Sequence, residues 1–69
     1  NSQLYQVEMS PNAKQESVSR WLAASTRMLS FTASWVGRGP EDGSTIVLTP
    51  QEAERLGVSS GDTVRLLET

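Results

Sequence analysis

The sequence predicts a small, β-rich α+β domain of about four strands and two short helices, arranged as a partly closed barrel. Two observations predict this class. Several short segments alternate apolar and polar residues as strands do, and residues 45–67 carry the local signals of a strand–helix–turn–strand unit. The chain has 69 residues, a length that suits a small domain or a fragment of a larger one. Residues 1–69 are therefore treated as a single small domain or domain fragment.

The first predicted strand covers residues 4–9. Tyr5, Val7 and Met9 alternate there with two polar residues. One face of this strand can therefore be buried while the other meets solvent.

Ser10 and Pro11 follow this strand and can start a helix, because serine is a favourable N-cap and proline fits the first helical turn. The sequence predicts an amphipathic helix over residues 11–25, although its serines weaken the intrinsic propensity. The apolar face of this helix is predicted to hold Val18, Trp21, Leu22 and Ser25.

The clearest strand pattern covers residues 28–36. One face of this strand is apolar and the other carries hydroxyl side chains; the apolar residues are Leu29, Phe31, Ala33 and Trp35. Residues 37–44 then hold three of the five glycines, a proline and two acids. This composition is typical of a loop, which we expect to be flexible.

Residues 45–67 give the most complete local pattern. A short β-rich run leads to Thr49, a proline and Glu52. These residues predict a capping box, in which the threonine hydroxyl and the glutamate carboxylate accept hydrogen bonds from backbone N–H groups at the helix start. Gly57 can end the helix in a left-handed conformation, and Asp62 can fix the turn before the last strand.

The two halves of the chain echo each other weakly, because each has a strand, a serine or threonine, a proline and a predicted helix. One interpretation is a duplication, with two β-α-β halves joined by the loop into a barrel of pseudo-twofold symmetry. The other is that local preferences alone produce both helix starts.

The composition excludes several kinds of active site. The chain has neither histidine nor cysteine, so it lacks the commonest general base, thiolate metal ligands and disulfides. A Ser–Lys pair through Lys14 and a metal site made only of carboxylates have no supporting spacing. We therefore predict no catalytic and no metal-binding residue, and an enzyme role for this chain alone is not expected. No apolar run approaches the roughly 20 residues that span a bilayer.

The charge is unevenly distributed along a chain of net charge −2. Residues 1–39 have four basic against two acidic side chains, and residues 40–69 have six acidic against two basic ones. A solvated, uneven surface is the simpler explanation, and an anionic partner for the basic half is the alternative. The net negative charge argues against nucleic-acid binding.

Trp35 and Arg38 are candidate contacts for a protein partner. Trp35 lies on a predicted apolar face and is expected in the core, as are the other aromatic residues, but an aromatic beside a loop can also anchor a partner. Arg38 is expected to be a solvated loop residue, with an anion contact as the alternative. Glu41 and Asp42 in the same loop are expected to be solvated.

Residues 46–66 resemble a segment of double-psi-barrel domains. The matching positions are Leu56-Gly57-Val58, Gly61-Asp62 and Val64, with Thr49-Pro50 and Glu52-Ala53 in place of Asn-Pro and Asp-Ala. Similar segments occur in the C-terminal domain of molybdopterin-dinucleotide oxidoreductases, in the large iron–sulfur subunit of respiratory NADH dehydrogenase and in the N-domain of Cdc48-like ATPases. The resemblance implies a double-psi-like barrel and transfers no ligand-binding residue to this chain.

A second resemblance, to the C-terminal segment of arginine N-succinyltransferases, covers more of the chain. In that family a leucine followed by serine or threonine precedes a further leucine and the run Gly-Asp-x-Val-Arg. The positions that fit this outline are Leu48-Thr49, Leu56 and residues 61–65, preceded by Leu22-Ala23-Ala24-Ser25, Phe31 and Val36.

From these resemblances we predict a non-catalytic binding or assembly module of a larger molybdopterin-type oxidoreductase. Two alternatives stay open: the C-terminal structural part of an acyltransferase such as arginine N-succinyltransferase, and a protein-binding adaptor domain. The chain requires no cofactor of its own, and molybdopterin dinucleotide is implied only for the oxidoreductase. The expected partner is another protein chain or domain. The compartment is left open, with the cytoplasm slightly favoured.

Overall fold

The computed structural model describes residues 3–16, 21–26 and 32–69. Within these residues the elements follow in the order β1 (Gln3–Met9), β2 (Trp21–Ser25), β3 (Ala33–Val36), β4 (Thr45–Leu48), α1 (Pro50–Leu56) and β5 (Thr63–Glu68). The strands form one sheet in the order β3-β2-β5-β1-β4, curled into a half-barrel. The small β-rich class is thus confirmed, whereas the double-psi arrangement is not.

The last strand of the chain lies in the middle of the sheet. β5 is antiparallel to both β1 and β2, and β2 is also antiparallel to β3. β1 and β4 are parallel neighbours, with Met9 opposite Leu48. The Ser10 amide continues this pairing by donating to the Leu48 carbonyl at 2.9 Å. The two Ser/Thr-Pro steps therefore leave the sheet side by side.

The core fills the inside of the curl. Alternate residues of each strand point inward, and α1 packs against β2, β3 and β4. Trp21 is half-buried and packs against the edge of this core. The buried apolar residues are Tyr5, Val7, Ala23, Val36, Ile46, Leu48, Ala53, Leu56, Val58, Val64 and Leu66.

The predicted unit at residues 45–67 is confirmed. Thr49 caps α1, and both hydrogen bonds of the capping box with Glu52 are present. Gly57 ends the helix with φ +69°, a conformation that costs glycine little. The Asp62 carboxylate accepts a hydrogen bond from the Ser59 amide at 2.9 Å and so fixes the turn before β5.

The predicted helix over residues 11–25 is wrong where the structure describes it. Residues 11–16 form a turn and irregular backbone, residues 17–20 (with Val18) lie outside the described residues, and Trp21–Ser25 is strand β2. Ala23 and Ser25 point inward and their neighbours are half-buried, so this apolar run also fits the period of a strand. Pairing with β3 and β5 on both sides decides the outcome, because short apolar runs do not distinguish helix from strand.

The predictions for the strand at residues 28–36 and for the loop at residues 37–44 are confirmed in part. Ala33–Val36 confirms the end of the strand predicted at residues 28–36, whereas Leu29 and Phe31 lie outside the described residues. Residues 37–44 join β3 to β4 without regular structure, and their flexibility stays a prediction. In the described residues a helix follows only the second Ser/Thr-Pro step, so the interpretation as two β-α-β halves is not supported. No helix there is long and apolar enough to cross a membrane.

Candidate functional site

The structure buries a charged pair beside the end of β3. Arg38 and Glu52 face each other, with Nη1 2.6 Å from Oε1 and Nη2 3.2 Å from Oε2. Their side chains are only 8% and 4% exposed. The two parallel contacts form the bidentate geometry that a guanidinium and a carboxylate favour.

The Glu52 carboxylate accepts two further hydrogen bonds. Oε2 accepts from the Gly37 amide at 2.8 Å, and Oε1 accepts from the Thr49 amide at 3.0 Å. Burial alone would raise the pKa of Glu52, but the hydrogen bonds from Arg38, Thr49 and Gly37 and the charge of Arg38 outweigh it and hold the pKa below the ordinary value of 4.5. Glu52 is therefore ionised at neutral pH.

Arg38 also binds two backbone carbonyls. Its Nε donates to the Lys14 carbonyl at 2.5 Å, and Nη1 donates to the Val47 carbonyl of β4 at 2.7 Å. We call Arg38, Glu52 and these partners the Arg38–Glu52 cluster. The cluster connects the segment after β1, the end of β3, strand β4 and helix α1. It thereby links β3 and β4, the two strands at opposite edges of the sheet.

The geometry of this cluster suits a structural role better than a catalytic one. A carboxylate that holds four hydrogen bonds and has a lowered pKa is a poor general base, because it has little tendency to take up a proton. Among the described residues, no buried side-chain nitrogen or oxygen lacks a partner. The same residues include no group of three or more histidines, cysteines or acids that could hold a metal ion.

A surface depression of about 590 Å³ lies against the cluster. The charged residues that line it are the acids Glu8, Glu16 and Glu41 and the bases Lys14 and Arg38. Glu16 accepts a hydrogen bond from the Gly39 amide at 3.3 Å. Arg38 borders this depression, and its contact with a partner stays a prediction.

The structure corrects the expectation that Arg38 is solvated, since the residue is only 7% exposed. The glycines on either side of Arg38 are the sequence feature that could have indicated its burial, because they let the chain approach Gln15 and Trp21 closely. Its pairing with Glu52 carried no local signal, because the two residues are 14 positions apart.

The expected core position of Trp35 is also wrong. Trp35 is 50% exposed, because it points to the outer face of β3 while Val36 points inward. Its contact with a partner stays a prediction.

Asp42 is exposed as expected but has a role that sequence reasoning missed. Its carboxylate accepts hydrogen bonds from the Ser44 and Thr45 amides, each at 2.8 Å. The Asp-Gly-Ser run is the signal for this turn, since aspartate often binds backbone N–H groups that follow it. The turn leads the loop into β4.

The fold and the cluster define a small β-rich domain whose buried charges hold its own elements together. The family model for the C-terminal domain of the arginine N-succinyltransferase beta subunit matches residues 3–68. The chain belongs to this family. No curated protein and no solved structure matches the chain significantly. The second of the two resemblances is thus confirmed, and the molybdopterin oxidoreductase has no support.

Proposed function

We propose that this chain is the C-terminal domain of the beta subunit of an arginine N-succinyltransferase. In this role it is preceded by the rest of the subunit and serves as a non-catalytic structural domain. The enzyme as a whole transfers a succinyl group to a nitrogen of arginine. The family match over residues 3–68 is the observation that carries this proposal.

The site supports a structural rather than a catalytic role. The buried carboxylate of Glu52 is occupied by Arg38 and by two backbone amides. The acids that line the depression, Glu8, Glu16 and Glu41, are exposed to solvent. We therefore infer that the reacting groups lie in the preceding part of the subunit or in another subunit.

The test uses the intact enzyme, which contains the complete beta subunit together with any subunit that assembles with it, and measures succinyl transfer to arginine by mass spectrometry of the product. We expect activity in this assembled enzyme. Exchange of Glu8, Glu16 or Glu41 for glutamine is expected to change kcat by less than the roughly hundredfold that loss of a general acid or base causes. Glu52→Gln is expected to lower thermal stability while kcat of the folded enzyme stays similar.

Two results would overturn the proposal. Absence of succinyl transfer to arginine in the folded, intact enzyme would reject the activity. A loss of kcat of about a hundredfold or more in one glutamine variant, with unchanged melting temperature, would make this domain catalytic.

A further inference from the structure

The outer face of the sheet carries an apolar stripe that runs across four strands. Trp35 of β3, Leu22 of β2 and Leu67 of β5 lie directly opposite one another in the strand register. Leu4 of β1 is diagonal to Leu67, because it pairs with Arg65 two positions earlier. We call these four residues the outer stripe.

The outer stripe contains three of the four large apolar residues that the described part of the chain leaves exposed. Leu4, Trp35 and Leu67 are 54%, 50% and 46% exposed, and Leu22 between them is half-buried. Cross-strand neighbours on one face lie about 5 Å apart and diagonal ones about 7–8 Å, so the side chains form a continuous surface. A contiguous patch of this kind usually marks an interaction site.

The neighbouring row on the same face has one charge. Leu4, Arg65, Ala24 and Ala33 lie opposite one another across the same four strands, and Arg65 is exposed. A partner that covers both rows therefore needs an apolar surface with a carboxylate opposite Arg65. The small alanines at Ala24 and Ala33 permit close approach.

We propose that the outer stripe docks onto the part of the beta subunit that precedes this domain; this inference rests on the proposed function. The polypeptide that joins the two parts enters β1 at Gln3, next to Leu4 at one end of the stripe. A tether at the edge of the patch gives the preceding part a high effective concentration there. A second copy of the chain or another subunit has no such connection to this face.

The 69 residues contain no cysteine, so one introduced cysteine is the single thiol of this domain in the intact subunit. Leu67→Cys and, separately, Leu4→Cys place a thiol in the stripe. Met9→Cys is the matched control, because Met9 is an exposed apolar residue, 36% exposed, at the opposite end of β1 from Leu4. Each variant is treated with a maleimide, and peptide mass spectrometry measures the modification rate at the introduced thiol, in native buffer and in urea.

We expect both stripe thiols to react at least about tenfold more slowly in the native subunit than in urea, with little slowing at the control position. Equal slowing at stripe and control positions overturns the proposal. Protection that appears only as the protein concentration rises assigns the stripe to a second copy, and protection that needs another added subunit assigns it to that subunit; both overturn the proposal as well. Agreement between two stripe variants guards against one of them misfolding.

Succinyl transfer, measured in the assembled enzyme that contains each variant, separates the two proposals. An active enzyme with unprotected stripe thiols retains the function and rejects the docking. Protected thiols in a folded, assembled enzyme without activity toward arginine retain the docking and reject the function.

Discussion

The ion pair between Arg38 and Glu52 is expected to be important for the stability of this domain. Removal of either residue leaves the charge of the other buried and without its partner. We expect Arg38→Met to lower the free energy of unfolding by about 3 kcal/mol, the lower end of the range measured when one partner of a buried pair is lost. This is a large fraction of the stability of a small domain. Urea denaturation measures it, with Arg55→Met, an exposed arginine of α1, as the control.

The double variant Arg38→Met with Glu52→Gln tests whether the unpaired charge of Glu52 causes the loss of stability. Glutamine carries no charge, and its amide oxygen can still accept the capping-box hydrogen bond from the Thr49 amide. The double variant should therefore be more stable than Arg38→Met alone. A double variant less stable than the single one would show that the buried charge is not the source of the loss.

The lowered pKa of Glu52 also predicts how the stability of the domain depends on pH. Its pKa is lowered in the folded state, so the folded protein holds the proton less tightly than the unfolded chain does. The stabilisation is therefore fully present above the ordinary pKa of 4.5 and is lost as the pH falls through the lower folded value. Unfolding measured by circular dichroism between neutral and acidic pH should show this loss.

Glu52→Gln is the control for the pH dependence, since it removes the titrating group. The acid-induced loss should be smaller in this variant. A remaining loss is expected from Asp42, because the amides of Ser44 and Thr45 lower its pKa as well. Identical pH profiles for the parent and Glu52→Gln would contradict the prediction.

Glu52 has two roles, of which its neighbouring sequence predicts one. The capping role of Glu52 was predictable, because its partner Thr49 is three residues away and the motif is local. The contact of Glu52 with Arg38 was not, because it depends on how β3 and β4 are placed in the sheet. The same carboxylate thus has one predictable and one unpredictable function.

At the scale of elements, the loop after β3 is shaped by a close approach to β2. An ideally placed Cβ at Gly39 would lie 2.6 Å from Cε2 of Trp21, whose indole ring packs against the core. We expect Gly39→Ala to destabilise the domain by about 1–3 kcal/mol, as overpacking does. Thermal or urea denaturation measures the change.

Two other glycines of the loop provide graded controls. Nothing lies within 4 Å of a Cβ at Gly43, so Gly43→Ala should leave stability nearly unchanged or raise it slightly. The three atoms nearest to a Cβ at Gly37 all belong to the end of the Gln15 side chain. This end can rotate away, so the effect of Gly37→Ala should lie between the two. A Gly43→Ala variant as unstable as Gly39→Ala would refute the close approach.

Elements with purely local signals were predicted well, and β2 was not. α1 has a cap, a proline and a terminal glycine within its own sequence, and the structure follows them. Trp21–Ser25 has no such punctuation, and its apolar residues suit either period. Its pairing with β5, more than 35 positions later, supplies the information that the local sequence lacks.

At the scale of the whole molecule, the β-rich class was predictable and the strand order was not. Alternation indicates which segments are strands, although in β3 the apolar face that holds Trp35 is the exposed one. It does not say which strands are neighbours. The central place of β5 follows from pairings with β1 and β2 that span most of the chain. The linear order β3-β2-β5-β1-β4 also leaves two edges, which a fully closed barrel would not have.

Hydrogen exchange distinguishes the half-barrel from a closed barrel. β5 is paired on both sides, whereas β3 and β4 are each paired with one strand among the described residues. We expect the amides of β5 to exchange only through global unfolding and those of β3 to exchange at least about tenfold faster, because edge strands open locally. β4 should be intermediate, since Arg38 binds its Val47 carbonyl. Equal, slow exchange in β3, β4 and β5 would instead indicate that the edges meet in a closed barrel, and the Arg38–Glu52 cluster would then reinforce a closure made by the backbone.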